Sequence, residues 1–368
     1  MSTSRVAVFR EPGRPFDLET VALPPLKTGE ILVRNEYTTL CRSDLHTFLG
    51  KRTEKSPTIL GHEIVGRIAA IGPGAPRHDL RGAELSIGHR ITWAIYASNP
   101  DSPLSRLGIP QKGEGLFKYG HERVTPDCHL HGGLSEYCLL RRHTPIVRVD
   151  VPVPLPVLSL VNCAVATVAG ALRLAGGLSN RRVLVAGAGM LGLAACAMAR
   201  VAGAQQVIAV DIDPDRLRTA LRFGADATWL AEPGAPALRS FLEQDNPNEP
   251  LTVALDFSGA PETIEIVLGA LGIGGTLVLV GSTFPQRALQ IDAERLVRHL
   301  LTVRGLHNYN ERDLITAVDF IERHHRQFPF ETLVCDPFAL DQVNEAFAYA
   351  VTSGVHRVGI RCESPTTP

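Results

Sequence analysis

The amino-acid sequence predicts a chain of class α/β and β, with a curved, mainly antiparallel sheet or barrel in its first half and a doubly wound parallel sheet after it. Two patterns predict this. Up to about residue 150, short extended segments are broken by Pro and Gly, and helical periodicity is weak. Beyond the Pro-rich stretch 151–156, continuous apolar strands alternate with amphipathic helices, the pattern of a sheet buried on both faces.

The extended segments of the first half fall at 5–9, 18–23, 31–37, 63–71, 86–95, 135–139 and 146–149. Next come a helix over 158–175, a strand over 182–186, an apolar helix over 192–203 and a strand over 206–210. A charged helix through Leu221, a strand at 228–230 and a helix at 237–243 follow. Strand 253–257, helix 262–271 and strand 276–281 continue the alternation. From about 292 onward, helices at 314–324 and 340–352 mix with extended pieces at 301–305 and 357–361. On sequence order this last part is either a third small domain or a return to the first, and the final Ser, Pro and Thr residues are expected to fray.

At 368 residues and 39.8 kDa the chain is long enough for two domains. With 45% of residues apolar and 20% charged it is not a disordered chain. A formal charge of −1 offers no global attraction to nucleic acid or an anionic membrane, and neither is expected as a partner. The N-terminus has no charged start with an apolar core behind it, and no transmembrane span is read; the nearest stretch, 184–202, is assigned to a buried strand and helix. Seven cysteines are an odd number without the density of a disulfide scaffold, which fits reduced thiols in a cytoplasmic enzyme, some of them metal ligands.

The sharpest local signal is the run Gly187-Ala188-Gly189-Met190-Leu191-Gly192, which follows strand 182–186 and opens a helix. Gly187 permits a tight turn, Gly189 leaves room for a pyrophosphate, and Gly192 lets helix and sheet pack closely, while the helix N-terminus favours phosphate charge. Asp211 lies 24 positions after Gly187, at the end of the next strand. A carboxylate there accepts from both ribose hydroxyls and repels a 2′-phosphate, favouring NAD over NADP.

A second group, Cys41-Arg42-Ser43-Asp44-Leu45-His46 with Gly61-His62-Glu63, gathers soft and borderline donors in the strand-rich part. Cys41 and His62 suit zinc, and Cys163, at the start of the helix leading into the second part, is a third ligand that leaves one position for water or substrate. A buried cysteine pair with a surface histidine is the alternative reading of the same residues.

Together these motifs resemble the zinc-containing, medium-chain alcohol dehydrogenase family over almost the whole chain. Gly61-His62-Glu63-Ile64-Val65-Gly66, Ser86-Ile87-Gly88-His89-Arg90-Ile91 (His89 standing where the family carries Asp) and Gly132-Gly133-Leu134-Ser135-Glu136-Tyr137 add to the pattern in the family's order. The resemblance implies a GroES-like catalytic domain, residues 1–153 completed by 294–368, interrupted by a Rossmann NAD-binding domain at 154–293. It implies Cys41, His62 and Cys163 as catalytic zinc ligands, Glu63 as a carboxylate able to approach the metal, and Asp44 as the acceptor orienting His62. It further implies that Arg42 and Arg357 hold the NAD pyrophosphate, that Arg216 lies near the adenosine ribose, and that Thr167 contacts the nicotinamide side. Ser43 bridges substrate oxygen to a proton relay ending at His46. The activity implied is reversible transfer of hydride between a small alcohol and NAD, in a homodimer.

Relatives with a second, structural zinc carry four cysteines, which would fall at Asn99, Ser102, Ser105 and Gly113; none is Cys, so one catalytic zinc and no structural zinc is expected. Cys128, His129, His131 and Cys138 are a substitute cluster to weigh, although a turn before a strand explains them more simply. The basic stretch Lys51-Arg52-Thr53-Glu54-Lys55, with Arg52 foremost and Lys51 and His307 as alternatives, could receive an anionic head. Leu306-His307-Asn308-Tyr309 and the helix Asp313–Glu322 narrow the resemblance to dehydrogenases associated with phosphonate metabolism, and with the basic loop they suggest 2-hydroxyethylphosphonate and phosphonoacetaldehyde as the pair. A polyol or amino-alcohol dehydrogenase is the alternative, and an inactive NAD-binding structural or sensor protein a further one.

Overall fold

A computed structural model describes residues 2–231, 238–245 and 249–362. The tail expected to fray and the first residue of the helix expected at 237–243 lie outside the described residues. The chain forms two compact units, one of Met1–Cys163, Asn310–His325 and Phe330–Pro368, the other of Ala164–Tyr309 and Arg326–Pro329.

In the first unit a sheet runs in the order Val334–Ala339, Arg357–Arg361, Ile31–Leu40, Glu63–Ile71, Arg90–Trp93, Ile146–Arg148, with Tyr137–Leu140 also paired to Ile31–Leu40. Every pairing is antiparallel except that between the two C-terminal strands. The C-terminal piece therefore returns to the first sheet, where Val358 faces Leu40 and Ile360 faces Thr38. Alternating side chains bury two apolar clusters: Val6, Phe16, Leu60, Phe347 and Ile360 belong to one, Val33, Ile64, Trp93 and Tyr119 to the other. Across the outer face Glu36 accepts from Arg67 Nε at 2.9 Å and from Arg90 Nε at 2.6 Å, tying three neighbouring strands.

The second unit is a parallel sheet in the order Ala227–Leu230, Gln206–Asp211, Arg182–Ala186, Leu251–Asp256, Thr276–Leu279, Thr302–Gly305. The order reverses beside Arg182–Ala186, which places a crevice at the carboxyl end of that strand, where the glycine turn stands. The sequence reading ends this domain at 293. The strand Thr302–Gly305 instead pairs in parallel with Thr276–Leu279 and extends the unit to Tyr309.

The region read as one helix over 158–175 is segmented. Leu155–Leu158 is α-helical, Val161–Val165 is a π turn, and Ala166–Ala175 is α-helical. The run Leu155–Ala175 is also long and apolar enough to cross a membrane, contrary to the sequence reading, which singled out 184–202. Of its most apolar window 72% is buried in the protein, as in a core helix. Residues 184–202 divide between the strand Arg182–Ala186 and the helix Met190–Val201.

Candidate active site

Cys41 follows the strand Ile31–Leu40 and caps the helix Arg42–Phe48. Asp44, fully buried, takes the Cys41 N–H at 2.9 Å on one oxygen and the Gly61 N–H at 3.3 Å on the other. That second oxygen also lies 3.5 Å from His62 Nδ1, so one carboxylate aligns both ligand-bearing segments and leaves Nε2 of His62 for a metal. Cys163 sits in the π turn, a distortion found frequently at functional sites. Its neighbour Asn162 fastens that turn, donating to the carbonyls of His62 at 3.0 Å and Trp93 at 2.9 Å while its Oδ1 accepts from Ile64 N–H at 3.3 Å. One donor atom from each of Cys41, His62, Glu63 and Cys163 lies within 4.8 Å of all the others. A buried set of two sulfurs, an imidazole and a carboxylate suits zinc.

The charges support such an ion. The Cys163 hydrogen bond, together with Arg357 and His62, holds the Cys41 thiol well below its ordinary range, against its burial. Cys163, which donates to Cys41 and is partly shielded from solvent, is pushed well above. The two sulfurs thus share a proton that a dication can displace. Burial opposes a charge on His62, but Asp44 and Cys41 outweigh it and raise its pKa well above the usual value.

Arg357 is 4% exposed and meets Glu63 through Nε at 2.7 Å and Nη2 at 2.8 Å, with Nη2 also 3.6 Å from Cys41 Sγ. Thr39 donates to Glu63 at 2.6 Å. Burial raises the Glu63 carboxyl above its usual range, with Arg357 pulling the other way. The residue expected at a pyrophosphate is therefore found neutralising the carboxylate of the metal cluster.

Ser43 and His46 share the helix Arg42–Phe48, both partly exposed, while Arg42 is exposed. Burial, then Arg42 and Lys51, lower the His46 pKa. In the basic stretch Arg52 is 3.3 Å from Glu54 and Lys55 is 2.5 Å from Glu122, so two of its three cations are already paired. Sequence reasoning missed Asn162 and His121, neither of which belongs to a recognisable motif. His121 is buried with its ring centroid 5.1 Å from that of His62, and its Nδ1 lies 2.8 Å from Glu54.

In the second unit, Gly187 adopts φ +90°, and a Cβ on it would meet Ser258 N at 2.7 Å; a Cβ on Gly192 would meet Gly187 O at 1.8 Å. Gly189 has nothing within 4 Å of its would-be Cβ and caps the helix Met190–Val201. Asp211 closes the turn, accepting from Ala188 N–H at 2.6 Å, and Arg216 stands 3.9 Å from the same carboxylate. Thr167 lies partly exposed on the helix Ala166–Ala175. These groups fit a dinucleotide: donors at a helix N-terminus, open space over Gly189, and an acid at the strand end.

The positions of the absent cysteines still converge. The Ser102 and Ser105 hydroxyls are 2.9 Å apart, Ser105 donates to the Asn99 carbonyl at 2.7 Å, and a Cβ on Gly113 would meet Ser105 Oγ at 2.6 Å. Cys128, His129, His131 and Cys138 go separate ways. Cys128 lines a cavity of about 830 Å³ with Arg141 and Lys55, and His129 bonds the carbonyls of Pro126 and Ala22. Cys138 and His131 are buried, the latter with no hydrogen-bond partner at either ring nitrogen among the described residues.

A buried zinc-type donor set in one unit and a dinucleotide turn in the other define a metal- and nicotinamide-dependent oxidoreductase. Residues 27–151 match the alcohol dehydrogenase GroES-like domain, and residues 191–323 match the zinc-binding dehydrogenase family. An NDMA-dependent alcohol dehydrogenase of Amycolatopsis methanolica is 25% identical over 94% of this chain and 95% of its own. Among solved structures, an alcohol dehydrogenase from Thermotoga maritima superposes with a TM-score of 0.91 at 24% identity, covering 98% of this chain and 100% of that one. The benzyl alcohol dehydrogenase of Acinetobacter calcoaceticus does so at 0.84 and 25% identity, over 99% and 100%. The chain belongs to the zinc-containing medium-chain alcohol dehydrogenase family.

Proposed function

We propose that the enzyme interconverts a small alcohol and its aldehyde or ketone with NAD(H), using Cys41, His62 and Cys163 as zinc ligands. The observation that carries this is the convergence of those three residues with Glu63 in one buried cluster. Zinc in such a donor set polarises an alcohol or carbonyl oxygen, and a nicotinamide accepts or supplies the hydride. The protein's part is positional and protonic. Asp44 fixes the His62 ring, and Arg357 balances Glu63 so that the cluster does not gather excess negative charge. Ser43 accepts the substrate's hydroxyl proton as it gives its own to His46, which releases one to solvent; a His46 pKa lowered by burial, Arg42 and Lys51 keeps the ring neutral near pH 7.

Arg42 is read as a pyrophosphate contact, Thr167 as a nicotinamide-side contact, and Asp211 as the ribose acceptor that favours NAD, with Arg216 a counterweight beside it; Arg357, expected beside Arg42, is instead engaged by Glu63. As substrate we put forward 2-hydroxyethylphosphonate and, in reverse, phosphonoacetaldehyde, on the basic loop and the resemblance around His307. Lys51 is the cation of that loop without an ion pair among the described residues. The pairing of Arg52 and Lys55 with acids favours a second reading, a polyol or amino-alcohol substrate. Seven cysteines without a disulfide support a reducing compartment, and the family likeness supports a cytoplasmic homodimer. The deciding experiment measures turnover efficiency with NAD and NADP over phosphonate, diol, amino-alcohol and plain alcohol substrates. Neutral alcohols winning by a wide margin, with no competition from phosphonates, would remove the phosphonate assignment; a preference for NADP would remove the role given to Asp211.

A further inference from the structure

His121 stands against the metal cluster and has no part in the reaction as read above. Its ring lies tilted on that of His62, with centroids 5.1 Å apart, and its Nδ1 is 2.8 Å from Glu54 Oε2. A carboxylate can only accept, so Nδ1 carries the proton and Nε2 is the nitrogen turned away from Glu54. Nε2 has no hydrogen-bond partner among the described residues, in a side chain whose residue is only 8% exposed. That nitrogen is not among the side-chain polar atoms sealed from solvent, so it stands open to a hydrogen-bonding group from outside.

The pair is held firmly. Glu54 is 9% exposed and braced by Arg52 at 3.3 Å. A Cβ on Gly120 would meet Gly61 O at 2.7 Å, so the backbone before His121 lies hard against the segment that carries His62. Such packing presets the ring without the substrate having to order it.

We infer that His121 Nε2 hydrogen-bonds an oxygen carried by the substrate close to its reacting carbon, so that the preferred substrates are small alcohols with a second oxygen function, a hydroxyl or a phosphonate oxygen. A hydroxyl satisfies that nitrogen by donating to it, and the P–OH of a singly ionised phosphonate can do the same. The inference rests on the zinc alcohol dehydrogenase reading of the neighbouring cluster.

The test compares the full-length wild type with His121→Phe, His121→Gln and Glu54→Gln on 1,2-propanediol, 2-hydroxyethylphosphonate and 1-propanol. Zinc per chain is measured by elemental analysis, and the dissociation constant of each compound from the complex with NADH by nucleotide fluorescence. Wild type should prefer an oxygen-bearing compound to 1-propanol, and His121→Phe should lower that preference about tenfold or more, with a matching rise in dissociation constant and zinc retained. His121→Gln, whose amide oxygen can accept in place of Nε2, should keep most of the preference, and Glu54→Gln should fall between. The diol and the phosphonate arms tell which oxygen is recognised. A wild type without the preference, an equal loss on all three compounds, or loss of zinc in both His121 variants overturns the inference and leaves His121 as a prop for His62. A wild type that holds no zinc and turns over no alcohol sinks the enclosing reading instead, and the dissociation constants then decide for His121.

Discussion

A methyl group added to Gly189 would meet no atom of the protein within 4 Å, while one on Gly192 would collide with Gly187 O at 1.8 Å. The three glycines of the turn should therefore fail differently. Gly189→Ala should fold with an unfolding midpoint close to wild type yet bind NAD at least about tenfold more weakly, because the methyl occupies the space a pyrophosphate needs. Gly192→Ala and Gly187→Ala should instead lower stability, by calorimetry, with or without nucleotide. Equal destabilisation by all three would contradict the assignment of Gly189 to the ligand. His131 gives a second residue-scale test. Burial pushes its pKa down to about 3, so between there and the ordinary value near 6.5 the unfolded chain holds one more proton than the folded one. Stability then rises with pH across that window and falls on acidification. His131→Leu should flatten that acid limb by one proton per chain in denaturant titrations from pH 7 to pH 4; an unchanged slope would show that the ring finds a partner. The glycines were legible because each has a distinct steric reason to be there. His131 and His121 were not, since a single histidine next to a turn carries no periodic signal and its burial is decided by residues distant in sequence.

At the scale of elements, the decisive feature is the π turn Val161–Val165 that carries Cys163. Asn162 makes three hydrogen bonds with the segment around His62 and Trp93, so it sets where the second sulfur stands. Asn162→Leu should weaken zinc binding by roughly 10- to 100-fold, measured by chelator competition, and cost about 1–3 kcal/mol of stability for the carbonyls left unpaired. Undiminished zinc affinity would mean that the turn is held by its apolar neighbours alone. Hydrophobic spacing marked 158–175 as helical, and Ala166–Ala175 is an α-helix; the π turn before it was invisible, because apolar periodicity does not distinguish one π turn from α-helix. An Asn amid that apolar run was the available clue. Strand Thr302–Gly305 was likewise recognised as extended, but its place in the parallel sheet depends on pairing with Thr276–Leu279, which local sequence does not encode.

Taken as a whole molecule, the chain separates the residues of its metal cluster from those of its glycine turn, one group in each compact unit. Dialysis against a strong chelator should abolish alcohol oxidation while cooperative unfolding persists, and one equivalent of zinc per chain, about what a single site takes, should restore turnover. Unfolding or proteolytic cleavage within 99–113 on chelation would instead reveal a metal in that lobe. The motifs of the catalytic part could be read in order along the chain, yet the strands that complete its sheet, Val334–Ala339 and Arg357–Arg361, come from the far end, and only their register against Ile31–Leu40 makes one sheet of the two pieces.

The lobe in which Ser102 and Ser105 face each other at 2.9 Å bears on how the protein matures. A hydroxyl pair is complete as soon as the backbone brings it together, whereas a set of four thiolates waits for an ion from outside. If the lobe takes no metal, as expected from the missing cysteines, it would close as the chain leaves the ribosome, whatever the local supply of zinc. On the proposed ligand set, loading Cys41, His62 and Cys163 would then be a finishing step on an already folded protein, so that in a zinc-starved cell the enzyme should accumulate as an inactive but intact reserve that metal alone can switch on.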